Sequence, residues 1–289
     1  MIYEVLIMFT IRNEEICVTI AKKGAEIQSI TRGGVEYMWE RDPAFWKSCA
    51  PIMFPICGGL KGGKYELDGE SYEMPKHGFA KISEFEVEKK TDTSITFILR
   101  DSEQTRKFYP FAFAFRVTYE IEGPSLKVTY DAENCGDKTM YCTFGGHEAY
   151  ACPEGIEAYE LIFPEEETLY AYALNGDLLT DYTKLIVNNS KHLVLDDRHF
   201  VLDALVFRGV KSKSVTLASK VSDRRVKVEF DGFDYLVLWH KHTAPYICIE
   251  PWCGIQDVAG SSPVLSEKEG IHAVSAGCHF ARTHVITVG

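Results

Sequence analysis

No run in this sequence approaches the ~18 consecutive apolar residues that a membrane helix needs, and no basic stripe runs along it. Lysine and arginine are scattered singly or in pairs such as Lys22 and Lys23, and 42 acidic against 31 basic residues give a formal net charge of −11. Nucleic-acid binding, which exchanges condensed counterions for clustered cations, is disfavoured, and no membrane partner is expected. The nine cysteines are odd in number and contain no Cys-x-x-Cys pair, and 289 residues can bury a core without staples. They read as reduced thiols of a cytoplasmic protein. Phosphate loops, nucleophile elbows and dinucleotide fingerprints are missing. The acidic balance suits a protein handling neutral or weakly charged small molecules.

The amino terminus lacks a basic leader and a small-residue cleavage pattern and carries Glu4, so it reads as a first strand rather than a signal peptide. Helical periodicity is nearly absent; short turns at Asp42 to Trp46 and near Asp203 are the candidates. What is abundant is alternation. Phe111, Phe113, Phe115, Val117, Tyr119 and Ile121 alternate with Ala112, Ala114, Arg116, Thr118 and Glu120, a strand with one aromatic face. After a turn at Glu122 to Ser125, Leu126, Val128 and Tyr130 continue it as an antiparallel hairpin. The same pattern marks Ile16 to Ile20, Glu84 to Val87, Ser94 to Leu99, Ser214 to Ala218, Arg225 to Phe230, Tyr235 to Trp239, Tyr246 to Glu250 and His279 to Val288. Turn signals punctuate them at Arg32 to Gly34, Leu67 to Gly69 and Phe230 to Phe233. Many short strands and almost no helix predict an all-β protein, a large antiparallel β-sandwich. With no linker, low-complexity tract or internal repeat, residues 1–289 are expected to form a single domain.

Four clusters place polar groups where strand packing does not ask for them. His77 follows Lys76 at a strand exit beside Gly78, where a backbone can approach a ligand or simply turn. His147 follows Gly145 and Gly146 at the end of an apolar strand; the glycines open space on a sheet face or form a bulge. Glu250 ends the apolar strand from Tyr246 and is followed by Trp252. A carboxylate there is unfavourable unless paired or lining a cleft, and burial beside the indole would raise its pKa toward the range useful to a proton carrier. Asp203 interrupts two apolar runs and suits either a turn cap or contact with substrate hydroxyls. His240 and His242 with Glu250 form a conceivable metal set, but Lys241 lies between them and no further ligand motif follows, so no metal is expected. Asp203 and Glu250 could be a glycosidase pair, although nothing fixes their separation.

Read in order, these clusters resemble the aldose 1-epimerase, or galactose mutarotase-like, family, in its bacterial branch of uncertain substrate. The resemblance runs nearly end to end, through Gly24 to Ser29, Glu36 to Trp39, Asp42 to Trp46, Pro51 to Gly58, His77 to Ala80, Gly145 to His147, Asp203 to Phe207, Cys248 to Trp252 and Glu267 to Gly270. It implies the family's supersandwich fold and an isomerase that interconverts the α and β anomers of a hexose or modified hexose, without cofactor or metal. It further implies Glu250 as general base, His147 as general acid, His77 as a second histidine near the ring and Asp203 as a contact to hydroxyls. Lys76 and Trp252 join them as substrate-binding candidates.

The chain departs from the family at Gly59, where relatives commonly carry an arginine that contacts the sugar. Lys61 or Lys76 could supply a cation from nearby. The loss keeps open two alternatives: a carbohydrate-binding protein without catalysis, and a hexose-phosphate 1-epimerase with a basic rim. A sugar is the expected partner, bound by a monomer or homodimer. If Glu250 is ionised and His147 protonated together, the Glu250 carboxylate, or another nearby one such as Asp203, should hold the imidazole pKa above its usual value near ~6.5.

Overall fold

The computed structural model describes residues 7–201 and 203–289. The expected first strand is seen from Met8 to Arg12; the remainder of that prediction, residues 1–6, lies outside the described residues. Among the described residues there is no α-helix, only six short 3₁₀ turns. None is long and apolar enough to cross a membrane.

Thirteen strands form one antiparallel sheet. Its path runs from Ala149–Ala151 through Tyr246–Trp252, Tyr235–Trp239, Leu205–Arg208, Tyr159–Asn175, Ser214–Ser219 and Arg225–Glu229. It continues through His279–Val288, Ser125–Asn134, Phe113–Glu122 and Ser94–Arg100 to Glu86–Lys90. The predicted hairpin of Phe113–Glu122 with Ser125–Asn134 is in register, Val117 opposite Tyr130 and Tyr119 opposite Val128. A four-stranded sheet, Met8–Arg12, Ile16–Ala21, Ile27–Arg32 and Val35–Glu36, packs across this region. The Tyr119 hydroxyl donates to the Ala25 carbonyl at 2.6 Å, and the rings of Phe9 and Phe97 meet edge to face at 5.6 Å. The inward residues of both sheets belong to one hydrophobic cluster, the closed interior of a β-sandwich.

One feature was not legible in the alternation. Tyr159–Asn175 and Leu178–Val194 form a hairpin with 17 residues in each arm. Register shifts between Ile162 and Glu167 and again near Leu169 break its period. Its far end turns through Gly176 and Asp177 beside the cleft described below. The helical candidates resolve into turns. Phe45 and Trp46 both donate to the Asp42 carbonyl at 3.0 Å, and a 3₁₀ turn spans Asp197–Phe200, before rather than at Asp203.

Candidate active site

The edge of the large sheet builds the site. The Tyr246–Trp252 strand pairs on one side with Ala149–Ala151 and on the other with Tyr235–Trp239, which sets Val237 opposite Glu250 and Trp239 opposite Cys248. His147 lies two residues before Ala149 and is delivered beside Glu250 by that pairing. Gly145 bridges both Met53 and Trp252. A methyl group on it would lie 2.7 Å from the Pro251 carbonyl oxygen, and one on Gly146 would lie 2.2 Å from a Glu148 oxygen. These glycines therefore do not open space on the sheet face, as the sequence suggested; they allow two backbones and a buried carboxyl group to close up beneath His147.

A cleft of about 440 Å³ results, with Glu250, His147, His77, Lys76, Asp203 and Trp252 all on its lining. All six sequence-derived site residues thus meet in one place. Trp46, Trp239, Lys81, Met53 and Gln256 line it too, and the sequence reading passed over them because they sit in turns or on strands whose alternation needs no functional explanation. Trp46 and Trp239 make an aromatic corner around the imidazole: the ring centroids of Trp46 and His147 are 5.0 Å apart, those of Trp239 and His147 5.6 Å.

Glu250 Oε1 lies 3.3 Å from His147 Nδ1, with the carboxyl side chain 1% and the imidazole 13% exposed. The two atoms are not aligned as a hydrogen bond, and neither has another partner among the described residues. The second carboxyl oxygen accepts from Trp252 Nε1 at 3.1 Å. Burial pushes the Glu250 pKa well above the carboxylate range; the Trp252 N–H opposes that rise and the nearby Glu148 adds to it. Burial likewise pushes the His147 pKa down, to about 3, with the ammonium groups of Lys81 and Lys76 adding to the effect. The expectation that the carboxylate would raise the imidazole pKa is not met: burial disfavours the charged form of both groups, raising the carboxyl pKa and lowering that of the imidazole.

His77 has φ 66° and sits in a turn whose Gly58 N–H donates to His77 Nδ1 at 3.0 Å. That bond selects the neutral imidazole with its proton on Nε2. Burial, His147 and the two lysines all push its pKa below the usual value. Asp203, φ 84°, is exposed at the rim, its carboxylate held by Trp239 Nε1 at 2.8 Å. Lys76 Nζ pairs with Asp177 at 2.8 Å, and Lys81 Nζ donates to the Lys76 carbonyl at 2.9 Å. Lys61 is exposed and is not on the cleft lining, and its backbone N–H donates to Asp257 at 2.8 Å. The space beside Gly59 is filled from the long hairpin: a methyl group there would lie 2.7 Å from Asp177 Cβ. Hairpin tip and residue 59 side chain are mutually exclusive.

His240 and His242 do not approach Glu250. They take opposite oxygens of Asp197, His240 Nε2 at 2.6 Å, and clamp the Asp197–Phe200 turn to the loop that follows Trp239. Among the described residues one group has the spacing of a metal site, His147, Cys248 and Glu250 with donor atoms within 4.8 Å of one another. Burial pushes the Cys248 thiol up, away from the thiolate a metal needs. The cleft therefore sets a buried carboxyl group and an imidazole side by side, facing aromatic walls.

Comparison with known proteins extends this picture over the whole chain. A family model described as aldose 1-epimerase matches residues 8–271. The chain is 33% identical over 280 residues to protein LacX (chromosomal) of Lactococcus lactis subsp. lactis, covering 91% of this chain and 93% of that one. The X-ray structure of a galactose mutarotase related enzyme from Lactobacillus acidophilus is similar with a TM-score of 0.94 and 33% identity, over 98% of this chain and 97% of that one. A galactose mutarotase-like protein from Lactobacillus casei has a TM-score of 0.92 and 28% identity, over 98% and 100%.

Proposed function

The chain belongs to the aldose 1-epimerase family, and from that premise we propose that it interconverts the α and β anomers of a free aldose, with Glu250 and His147 exchanging the protons. The observation that carries this reading is the 3.3 Å approach of two buried atoms, Glu250 Oε1 and His147 Nδ1, neither with another partner among the described residues, on the wall of an open cleft.

Ring opening needs one proton removed from the anomeric hydroxyl and one delivered to the ring oxygen. Carboxylate with imidazolium can do both, and afterwards stand as carboxylic acid with neutral imidazole. That is the protonation state burial favours for both groups. Rotation about the bond between C1 and C2 then presents the other face of the aldehyde, and reclosure returns both protons. The two states carry the same number of protons, so the pair cycles between them without exchange with solvent. Nδ1 of His147 faces Glu250, which leaves Nε2 for the ring oxygen. The His77 Nε2–H is a donor for a ring substituent, and Trp46 and Trp239 offer apolar faces to the sugar. The cleft volume, about 440 Å³, lies at the small-ligand end of the range for binding pockets.

Polarimetry of freshly dissolved α-glucose, α-galactose and a wider set of aldoses tests this directly. The expected result is acceleration of mutarotation over buffer for at least one aldose; no acceleration across the panel contradicts it.

A further inference from the structure

Gln256 is 4% exposed and lines the cleft together with Glu250, Trp252 and Met53. Its amide oxygen is buried without a hydrogen-bond partner among the described residues. A buried amide oxygen left unpaired is destabilising, and on a cleft wall its place calls for a donor that a bound ligand can bring.

The surroundings hold this side chain where it is. The backbone of Gly58 lies flat against it, so that a methyl group on Gly58 would come within 2.4 Å of Gln256 Cβ. The next residue, Asp257, is tied at four points. Its N–H donates to the Gly59 carbonyl at 3.0 Å, and its carbonyl accepts from Leu179 at 2.9 Å. Its carboxylate accepts the Lys61 N–H at 2.8 Å and pairs with the buried Lys268 ammonium. Gln256 is therefore mounted on a rigid anchor that joins the Gly58 segment to the tip of the long hairpin, rather than carried on a free loop.

We propose that Gln256 reads one hydroxyl of the bound sugar, away from the anomeric centre, and so sets which neutral hexoses the cleft accepts. This rests on the epimerase reading above, in which Glu250 and His147 already account for the anomeric hydroxyl and the ring oxygen. An amide offers both N–H donors and a carbonyl acceptor, and a hydroxyl both donates and accepts, so the two are complementary. A sugar lacking that hydroxyl leaves the amide buried and unpaired, the arrangement that discriminates most strongly against a missing group.

The test is a double-mutant cycle between protein and ligand, read as affinity by calorimetry or NMR titration. Wild type and Gln256→Met, which keeps the volume and removes the hydrogen bonds, are titrated with D-glucose, D-galactose and their 2-, 3-, 4- and 6-deoxy derivatives. The expected result is that wild type binds one deoxy derivative about 10-fold or more weaker than its parent. Gln256→Met should lose that factor for the parent and bind the same deoxy sugar as wild type does, the other derivatives being affected equally in both proteins. Equal binding of every sugar by both proteins overturns the inference. So does an equal loss in Gln256→Met for every sugar, which is the behaviour of a merely structural residue. Failure of both proteins to bind any hexose overturns the epimerase reading itself, whereas binding with a flat cycle overturns only the role of Gln256.

Discussion

Glu250 and His147 are each uncomfortable in their charged forms, and that discomfort organises their chemistry. With the carboxyl pKa raised and the imidazole pKa lowered, the pair holds one proton across the intermediate pH range, and its two titration steps belong to the pair. Gain of a second proton at low pH and loss of the last at high pH bound the active range. Glu250→Gln keeps the shape but can neither accept nor release a proton, so turnover should fall by about 10²-fold or more, measured by polarimetry. His147→Asn should do the same, and His77→Asn should mainly raise KM. The same Glu250→Gln variant should be more stable than wild type above the usual carboxylate range. The unfolded chain releases the Glu250 proton near 4.5 whereas the folded one retains it to higher pH, so wild-type stability declines through that window and the amide variant escapes the decline, by about 1.4 kcal/mol per unit of upward shift. Thermal melts at pH 5 and pH 8 should show the gap widening with pH; a gap that stays constant contradicts the raised pKa. Trp252→Phe removes the N–H that favours the carboxylate. It should move the alkaline limb of the kcat/KM profile to higher pH, and a limb shifted to lower pH would contradict the assignment of that limb to Glu250. At this scale the residues were legible in the sequence, because a carboxylate and two histidines at strand ends have no packing reason to be there. Their protonation was not, because desolvation depends on how deeply the fold buries them.

Strands with clean alternation, such as Ser125–Asn134 and His279–Val288, were readable because one face is buried and the period survives. The long hairpin escaped because its bulges put Glu167, 1% exposed, inside, its carboxylate accepting the Ser212 N–H at 2.7 Å. That hairpin is what supplies the answer at Gly59. Leu179 belongs to a second, smaller hydrophobic cluster with Met53, Cys57, Val206, Val237, Trp252 and Ile255, which seats the tip against the cleft wall. Gly59→Ala would drive Asp177 away and loosen the Lys76 ammonium from its 2.8 Å partner. The expected loss is about 1–3 kcal/mol in stability, with weaker sugar binding, read from thermal melts and titration. Asp177→Asn, which removes only an exposed ion pair, should shift stability by less than about 1 kcal/mol. If Gly59→Ala melts and binds as wild type does, the hairpin tip is not what fills that space.

Across the whole molecule, the sandwich brings sequence-distant segments to one sheet edge: His77 from a loop, His147 from before the edge strand, Asp203 from the chain beyond the hairpin, and Glu250 from the strand paired with that edge strand. The net charge of −11 is countered at the cleft mouth by Lys76 and Lys81, but Asp177 and Asp203 stand beside them, an arrangement suited to a neutral ligand. KM for a neutral aldose should accordingly change by less than about twofold between roughly 20 and 500 mM NaCl. Tight binding of a hexose phosphate that weakens steeply over the same range would favour the phosphorylated substrate instead. The central claim, that a buried carboxyl–imidazole pair opens and recloses a sugar ring, is met most directly by magnetisation-exchange NMR between the α and β anomeric protons of an aldose at equilibrium. The account predicts exchange enhanced by catalytic amounts of wild type and reduced about 10²-fold or more by Glu250→Gln with sugar still bound. Undiminished exchange in that variant would contradict it.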